Sequence, residues 1–424
     1  MKANFDIVVA GAGPAGLAAA HAAASGGLSV AVIDDNPRAG GQIWRQGPHA
    51  KKPAALSRML GDLIRNPNVT SYQATRISLL ADAREMIVDC AEHGGMSISF
   101  ARLVIATGAR ERLLPFDGWT LPGVTGAGGL QALIKGGMPV RGERVVLAGS
   151  GPLLIAALAT ARAAGARVLA VVEQAPWRAV LPFGLSLAAT PSKLGQALRL
   201  TRGFTDTRYW TGSVLTRALG NERVEGAIIR RGGRDITLAC DRIAGGYGLV
   251  PNVALAQMAG CALASGAVAV DEGQRTSVQN VWAAGECTGI GGTELARVEG
   301  RIAGLAASGQ AVSASDVRER ERWRRFARRA AHAFELGASA RAWPSAETIV
   351  CRCEDVAFGD VAAHASWREA KLQTRCGMGP CQGRVCGAAL ETYFGWDAAL
   401  PRPPLVPMRI GALLQAREHD DARL

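Results

Sequence analysis

Four cysteines near the C-terminal end of the 424-residue chain stand in two pairs: Cys351 and Cys353 in Thr348-Ile-Val-Cys-Arg-Cys, and Cys376 and Cys381 in Thr374-Arg-Cys-Gly-Met-Gly-Pro-Cys-Gln-Gly-Arg. Four thiolates on two short segments can hold an iron-sulfur cluster of the [2Fe-2S] type, whose chemistry is electron transfer. The second pair lies on a Gly/Pro-rich stretch, whose backbone can wrap a compact inorganic core and turn N–H donors toward its sulfurs. The 22 residues between the pairs leave room for one helix and a turn, so both pairs can converge on one centre. Structural zinc is an alternative, since C-x4-C suits it, although C-x-C is less usual there. Ordinary thiols and disulfides are further alternatives, the latter requiring an oxidising compartment of which the chain gives no sign. Cys386 shares the neighbourhood as a spare ligand, whereas Cys90, Cys240, Cys261 and Cys287 are scattered among apolar residues as small core side chains.

The elements that precede this segment bind a different kind of group. Asp6-Ile-Val-Val-Ala reads as a buried strand, Gly11-Ala-Gly13-Pro14-Ala15-Gly16 as a tight turn, Leu17 to Ala24 as an Ala-rich helix and Ser29 to Ile33 as a second strand ending at Asp34-Asp35. This is the dinucleotide-binding βαβ pattern in full. Gly11 allows the turn, Gly13 lets the backbone approach a pyrophosphate at the helix N-terminus, and Gly16 allows close helix packing. An acid then takes the ribose hydroxyls; Asp34, 18 residues beyond Gly16, ends the apolar run and is better placed than Asp35. A second such unit follows in the middle of the chain: strand Val145 to Ala148, turn Gly149-Ser-Gly151-Pro152, an apolar helix, and a strand ending at Glu173. It is expected to hold NAD or another adenine nucleotide, or to be an inherited domain kept for structure, because Leu153 and Leu154 stand where the third glycine is missing.

A chain of this length exceeds one core, and its 52 glycines and 48% hydrophobic residues fit an α/β protein with tight turns. No stretch reads as a membrane span; the most apolar region, 145 to 172, is broken by Gly-Pro and carries Arg162 and Arg167. Asp6 and the glycines occupy the place of a signal-peptide core, so a cytoplasmic location is expected. The formal net charge of +12 is mostly arginine. The densest run, Arg318 to Arg329, reads as a solvated linker helix with Trp323 and Phe326 on one face; an acidic partner subunit is the alternative. No nucleic-acid-binding motif accompanies the charge. The six histidines (His21, His49, His93, His332, His364, His419) form no catalytic set. The expected layout is a first nucleotide domain split over 1–115 and 245–312, a second nucleotide domain at 116–244, an Arg-rich connector at 313–345, and a cysteine domain from 346 to 424 whose tail, after the extended Pro401-Arg-Pro-Pro, lies along the surface.

Three further segments identify the first nucleotide. Leu103-Val-Ile-Ala-Thr107-Gly108, Asn280-Val-Trp-Ala-Ala-Gly285-Glu286 and Gly40-Gly41-Gln42 resemble the FAD motifs of two-dinucleotide-domain flavoprotein reductases, in which the Gly-acid turn meets the flavin's ribityl and pyrophosphate region, normally with Asp where Glu286 stands here. Gly246-Tyr-Gly-Leu-Val-Pro-Asn252 resembles the return to the FAD domain. No cysteine pair lies beside Gly40 to Gln46, which argues against disulfide reduction.

Together with Ala106-Thr-Gly-Ala-Arg-Glu, Gly118-Trp-Thr-Leu-Pro-Gly-Val, the cysteine pattern and Arg402-Pro-Pro, these motifs make the chain resemble, over nearly its whole length, the FAD and iron-sulfur subunit of heteromeric amino-acid dehydrogenases. That group holds opine oxidases, D-hydroxyproline and dye-linked proline dehydrogenases and the cyanide-forming glycine dehydrogenase, and is similar to part of the sarcosine oxidase alpha subunit. A shorter stretch between the cysteine pairs is the one departure. The resemblance implies a two-dinucleotide-domain α/β flavoprotein with a small C-terminal [2Fe-2S] domain. It also implies two kinds of partner: a separate FAD subunit that oxidises the substrate C–N bond, and a further small iron-sulfur subunit. Electrons would pass through this chain's cluster and FAD in either direction. The competing readings are a self-sufficient NAD(P)H-dependent reductase and a non-catalytic assembly subunit.

Overall fold

The computed structural model describes residues 2–48, 52–201, 206–396 and 402–421; Pro401 and His49 lie outside them. The chain divides into two compact units, one built from residues 1–110, 250–328 and 400–424, the other from 111–249 and 329–399.

In the first unit, strand Lys2–Ala10 sits between the parallel strands Val30–Ile33 and Gly94–Ile105, with Val69–Tyr72 beyond Val30–Ile33. Ile7, Val8, Val9 and the whole of Val30–Ile33 are buried, because a parallel sheet is covered on both faces. The antiparallel strands Glu85–Cys90 and Thr75–Asp82 extend the other side, and Val281–Ala283 returns late in the sequence to pair in parallel with Gly94–Ile105. Pro14 opens helix Pro14–Ala24, where its missing N–H costs nothing, and alanine fills most of the interior. Short side chains let this helix approach helix Thr293–Ala307 closely. A Cβ on Gly300 would stand 2.1 Å from the Ala15 carbonyl oxygen, and one on Gly304 2.2 Å from that of Ala19.

The Arg-rich run lies on helix Ala314–Ala333, whose Trp323 and Phe326 face is packed. Trp323 is buried against Leu295, Val298 and Ile302, Arg301 pairs with Asp316 and Glu319, and the fully buried Arg320 reaches the Glu272 carbonyl. Arg318, Arg322, Arg325 and Arg328 keep the outer face charged and exposed. The C-terminal tail is not extended throughout. It forms helix Ile410–Asp421, whose Ala412 and Ala416 are buried; Gly95 gives it room, since a Cβ there would meet the Ala412 carbonyl oxygen at 1.6 Å.

The second unit carries a five-stranded parallel sheet in the order Arg208–Trp210, Arg167–Glu173, Arg144–Gly149, Arg242–Gly246, Val124–Gly126. Helix Pro152–Ala163 covers it, and a three-stranded antiparallel ribbon over 213–239 completes the core around Phe116, Trp119 and Trp210. The cysteine segment belongs to this unit. Strand Ile349–Cys351, two short helices, Phe358–Ala362 and Trp367–Thr374, and helix Gly387–Phe394 surround an apolar nucleus of Val350, Val361, Trp367 and Leu390. Two helices thus fill the interval where the spacing predicts one; Ser366, which caps the second by accepting from the Glu369 N–H at 3.2 Å, starts it afresh after the bend.

Gly304→Val tests the helix contact in the first unit. The added side chain meets backbone, which cannot yield, so stability should fall by about 1–3 kcal/mol. Calorimetric melting reads this as a drop of several degrees; an unchanged transition would show that these helices do not touch as described.

Candidate cofactor sites

The first site forms where strand Lys2–Ala10 passes into helix Pro14–Ala24. Gly11 has a φ of +112°, and a Cβ there would lie 2.3 Å from the Ala106 carbonyl oxygen, so only glycine fits between the two strand ends. A Cβ on Gly16 would strike the Gly11 carbonyl oxygen at 1.7 Å, which keeps the helix start against the turn. Gly13 is different: the nearest atom to a Cβ there is the Gly41 Cα at 3.9 Å, so the backbone at the helix N-terminus is left bare toward the place a pyrophosphate takes. Asp34 is buried, with Oδ2 accepting the Ala12 N–H at 2.5 Å and Oδ1 the Asn36 N–H at 2.8 Å. Asp35 points outward and is exposed, and Gln42 is exposed with its Oε1 bonded to Arg45 at 2.7 Å.

Thr107 and Gly108 close the far side. The Thr107 hydroxyl donates to the Asn252 carbonyl at 2.6 Å and the Asn252 N–H to the Gly108 carbonyl at 2.9 Å, so the return segment is stitched to this turn. Gly285, at φ +79°, packs on Ala15, where a Cβ would meet that of Ala15 at 2.6 Å. Glu286 accepts from the N–H of Gly292, the N-cap of helix Thr293–Ala307, at 3.3 Å, and burial raises its carboxyl above the usual range. Sequence reading passed over Glu299, which is buried, is raised by that burial against the pull of Arg324, and accepts the Gly285 N–H at 3.2 Å. Its position midway along a helix gave no motif to find it by.

The second glycine-rich turn repeats the geometry up to a point. A Cβ on Gly149 would lie 1.9 Å from the Gly246 carbonyl oxygen, and Glu173, wholly buried, takes the Gly151 N–H at 2.8 Å and the Ala175 N–H at 2.9 Å. Desolvation pushes its carboxyl up to about 7. Beside Gly151, where the first turn is bare, stands Phe334, whose Cβ would be 3.5 Å from a Cβ built on the glycine.

The cysteines converge. The sulfurs of Cys351, Cys376 and Cys386 lie within 4.8 Å of one another, all buried, and the more exposed Cys353 and Cys381 are hydrogen-bonded to each other beside them. Two of the four sequence-predicted residues, Cys351 and Cys376, thus meet the spare candidate Cys386 at one point, and the other two, Cys353 and Cys381, pair with each other. The hydrogen bond with Cys376 and burial push the Cys386 thiol far above the usual range. Burial acts on Cys381 too, but the backbone N–H groups of Val385, Gly383 and Arg384 and the Cys353 thiol outweigh it and hold this thiol low. The Gly377 N–H points at the Cys351 sulfur at 3.4 Å. Left-handed backbone at Arg375, Gly377, Gln382 and Gly383 folds the second segment into a cup. Trp367 forms its wall, its ring 3.0–3.3 Å from the Cβ positions of Gly377, Gly383 and Gly387, with an indole N–H that has no partner among the described residues. Five sulfurs, an N–H aimed at one of them and an unpaired donor in the wall fit an iron-sulfur cluster's needs. The other four cysteines are buried in the apolar cores.

Residues 5–303 match the family model of the pyridine nucleotide-disulphide oxidoreductases. The chain belongs to that family. It is 33% identical to an opine oxidase subunit of Rhizobium meliloti (strain 1021), over 96% of this chain and 98% of the relative, and 32% identical to the hydrogen cyanide synthase subunit HcnB of Pseudomonas aeruginosa, over 90% and 91%. It also resembles, at 28% identity over 60% of its length, the sarcosine oxidase alpha subunit of Rhizobium meliloti, of which it covers 25%. Among solved structures, L-proline dehydrogenase from P. horikoshii shares the fold with a TM-score of 0.69, at 20% identity over 97% of this chain and 80% of that one. The protein is therefore a flavin oxidoreductase of the group that contains HcnB and this opine oxidase subunit, with the FAD-dependent α/β fold of its family. No helix among the described residues is long and apolar enough to cross a membrane.

A cluster needs four thiolates and the cup offers five, so serine substitutions sort them. Cys351→Ser, Cys353→Ser and Cys381→Ser should each lose most of their iron with the flavin spectrum retained, and only one of Cys376→Ser and Cys386→Ser should do so. Iron retained in all five variants would show that the cup holds no cluster.

Proposed function

We propose that the protein is the FAD- and [2Fe-2S]-containing electron-transfer subunit of a heteromeric dehydrogenase that oxidises the C–N bond of an amino or imino acid of the opine, D-hydroxyproline, proline or glycine type. The observation that carries this reading is the convergence of three buried cysteines, with the bonded pair Cys353 and Cys381 beside them, in a chain that also carries an FAD-type glycine turn. Bound FAD exchanges two electrons and a [2Fe-2S] centre one, so the pair suits a relay between donors and acceptors of different electron number. In the first unit, Gly11, Gly13, Pro14, Ala15, Gly16 and Asp34 hold the adenosine diphosphate end, and Gly41, Gln42, Thr107, Gly108, Gly285 and Glu286 stand along the rest of FAD. In the second, Cys351, Cys353, Cys376 and Cys381 hold iron.

These residues position and tune cofactors; none is arranged as a general base on substrate. The substrate-oxidising flavin then lies on a partner, as the names of the relatives, each one subunit of a larger opine oxidase or hydrogen cyanide synthase, suggest for their own complexes. A surface suited to such a partner is present. Helices Trp177–Ser186 and Pro191–Leu200 have no buried residue, and Trp177, Leu181, Leu185 and Leu198 are exposed on them beside Arg178 and Arg199, with no carboxylate between Gln174 and Thr201. Short helices with an uncovered apolar stripe are marginal in water and gain most from a covering protein.

Anaerobic mixing of the assembled complex with candidate amino and imino acids tests the reading. Flavin absorbance and the electron paramagnetic resonance of the reduced cluster should both change within one turnover time. Cofactors of this chain that stay oxidised while substrate is consumed would reduce it to a non-catalytic assembly role.

A further inference from the structure

The glycine turn of the second βαβ unit is already filled, and by this chain. Immediately after the Arg-rich helix, residues 334–337 run across the turn and are hydrogen-bonded beside it at three points. The Ser150 hydroxyl donates to the Phe334 carbonyl at 2.8 Å. Gln174, the residue after Glu173, donates through Nε2 to the Glu335 carbonyl at 2.9 Å and accepts the Gly337 N–H at Oε1 at 2.9 Å. The same Nε2 reaches the Ser150 hydroxyl at 3.0 Å, so the two ends of the turn act as one clamp. The Phe334 side chain lies over Gly151, its Cβ and Cγ at 3.5 and 3.6 Å from a Cβ built there, and its ring meets that of Phe183 edge-on at a centroid distance of 5.2 Å.

The chemistry of the site decides what this means. The second glycine of a dinucleotide-binding turn lacks a side chain so that the pyrophosphate can come within contact of the backbone. At Gly13 the nearest atom to a built Cβ is the Gly41 Cα at 3.9 Å; at Gly151 that position is within van der Waals range of the Phe334 side chain, at 3.5 Å. Glu173 has no exposed surface to offer a ribose. A pyrophosphate there would have to expel Phe334 and leave the Ser150 and Gln174 side chains without these partners, which is costly for buried polar groups.

We infer that the second glycine-rich unit is a docking socket for the chain's own 334–337 segment and takes no dinucleotide. The socket fixes the start of the segment that leads into the cysteine cup. Resting on the relay reading, one consequence follows: reducing equivalents reach this chain's flavin from a protein-bound redox centre and not from NADH or NADPH.

The test uses the full chain replete with FAD. NADH, NADPH and ADP-ribose are titrated anaerobically to about 1 mM, the upper end of ordinary KM values, with flavin absorbance and calorimetric heat as readouts. No bleaching and no saturable heat are expected; bleaching within the mixing time, or one-to-one binding abolished by Gly151→Val, would overturn the inference. Hydrogen exchange tests the clamp without any ligand. The Gly337 amide should exchange about tenfold faster in Gln174→Ala than in the parent, as expected of a segment released from its hydrogen bonds; equal rates would show that the socket does not hold the segment. Iron and flavin are measured on the same samples. Bleaching by NADH with the cluster intact defeats the socket alone, and absence of iron with no nucleotide binding defeats the relay alone.

Discussion

Crowding five cysteines into one cup is the constraint on which the cysteine segment depends. Thiols make weak hydrogen bonds, and thiolates at such distances repel one another, so a pocket with three sulfurs within 4.8 Å of one another has little to gain from its own contacts. A metal centre reverses the balance, because it takes the sulfurs as anions and neutralises them. The surrounding structure makes sense on those terms. Left-handed residues bend the loop inward, Trp367 walls it, and backbone N–H groups at Gly383, Arg384 and Val385 favour the charged form of Cys381.

The two glycine-rich turns show how little separates a nucleotide site from a structural one. Both place a buried acid on a backbone N–H of the turn, Asp34 on Ala12 and Glu173 on Gly151, and both start a helix with proline. The difference lies in what faces the second glycine: the bare backbone of Gly41 at Gly13 and the side chain of Phe334 at Gly151. Backbone geometry alone therefore does not make a site, and a motif read without its tertiary neighbours overstates the second turn.

That contrast also explains what was legible in the sequence. The strand, turn, helix and acid of the first unit are local, each fixed by residues within about one βαβ length, and they lie where the spacing places them. The two cysteine pairs were readable for the same reason. Cys386 was visible only as a neighbour, because nothing in C-x4-C spacing says which sulfurs face inward; the packing of Trp367 on Gly377, Gly383 and Gly387 decides that. The contacts from Ser150 and Gln174 to 334–337 join positions more than 150 residues apart, as do those from Gly95 to Ala412, and no periodicity encodes them. The docking of the Arg-rich helix was hidden for a related reason: charge dominates its composition, while Trp323, Arg320 and the Asp316 and Glu319 pairs with Arg301 meet partners elsewhere in the sequence.

The central claim, an iron-sulfur centre and a flavin carried by one polypeptide, is tested most directly by metal, acid-labile sulfide and flavin analysis of the chain purified without oxygen. The account predicts iron and sulfide in equal amounts, about two of each per chain, alongside one FAD. Stoichiometric zinc, or protein that retains flavin yet contains no metal, would contradict it.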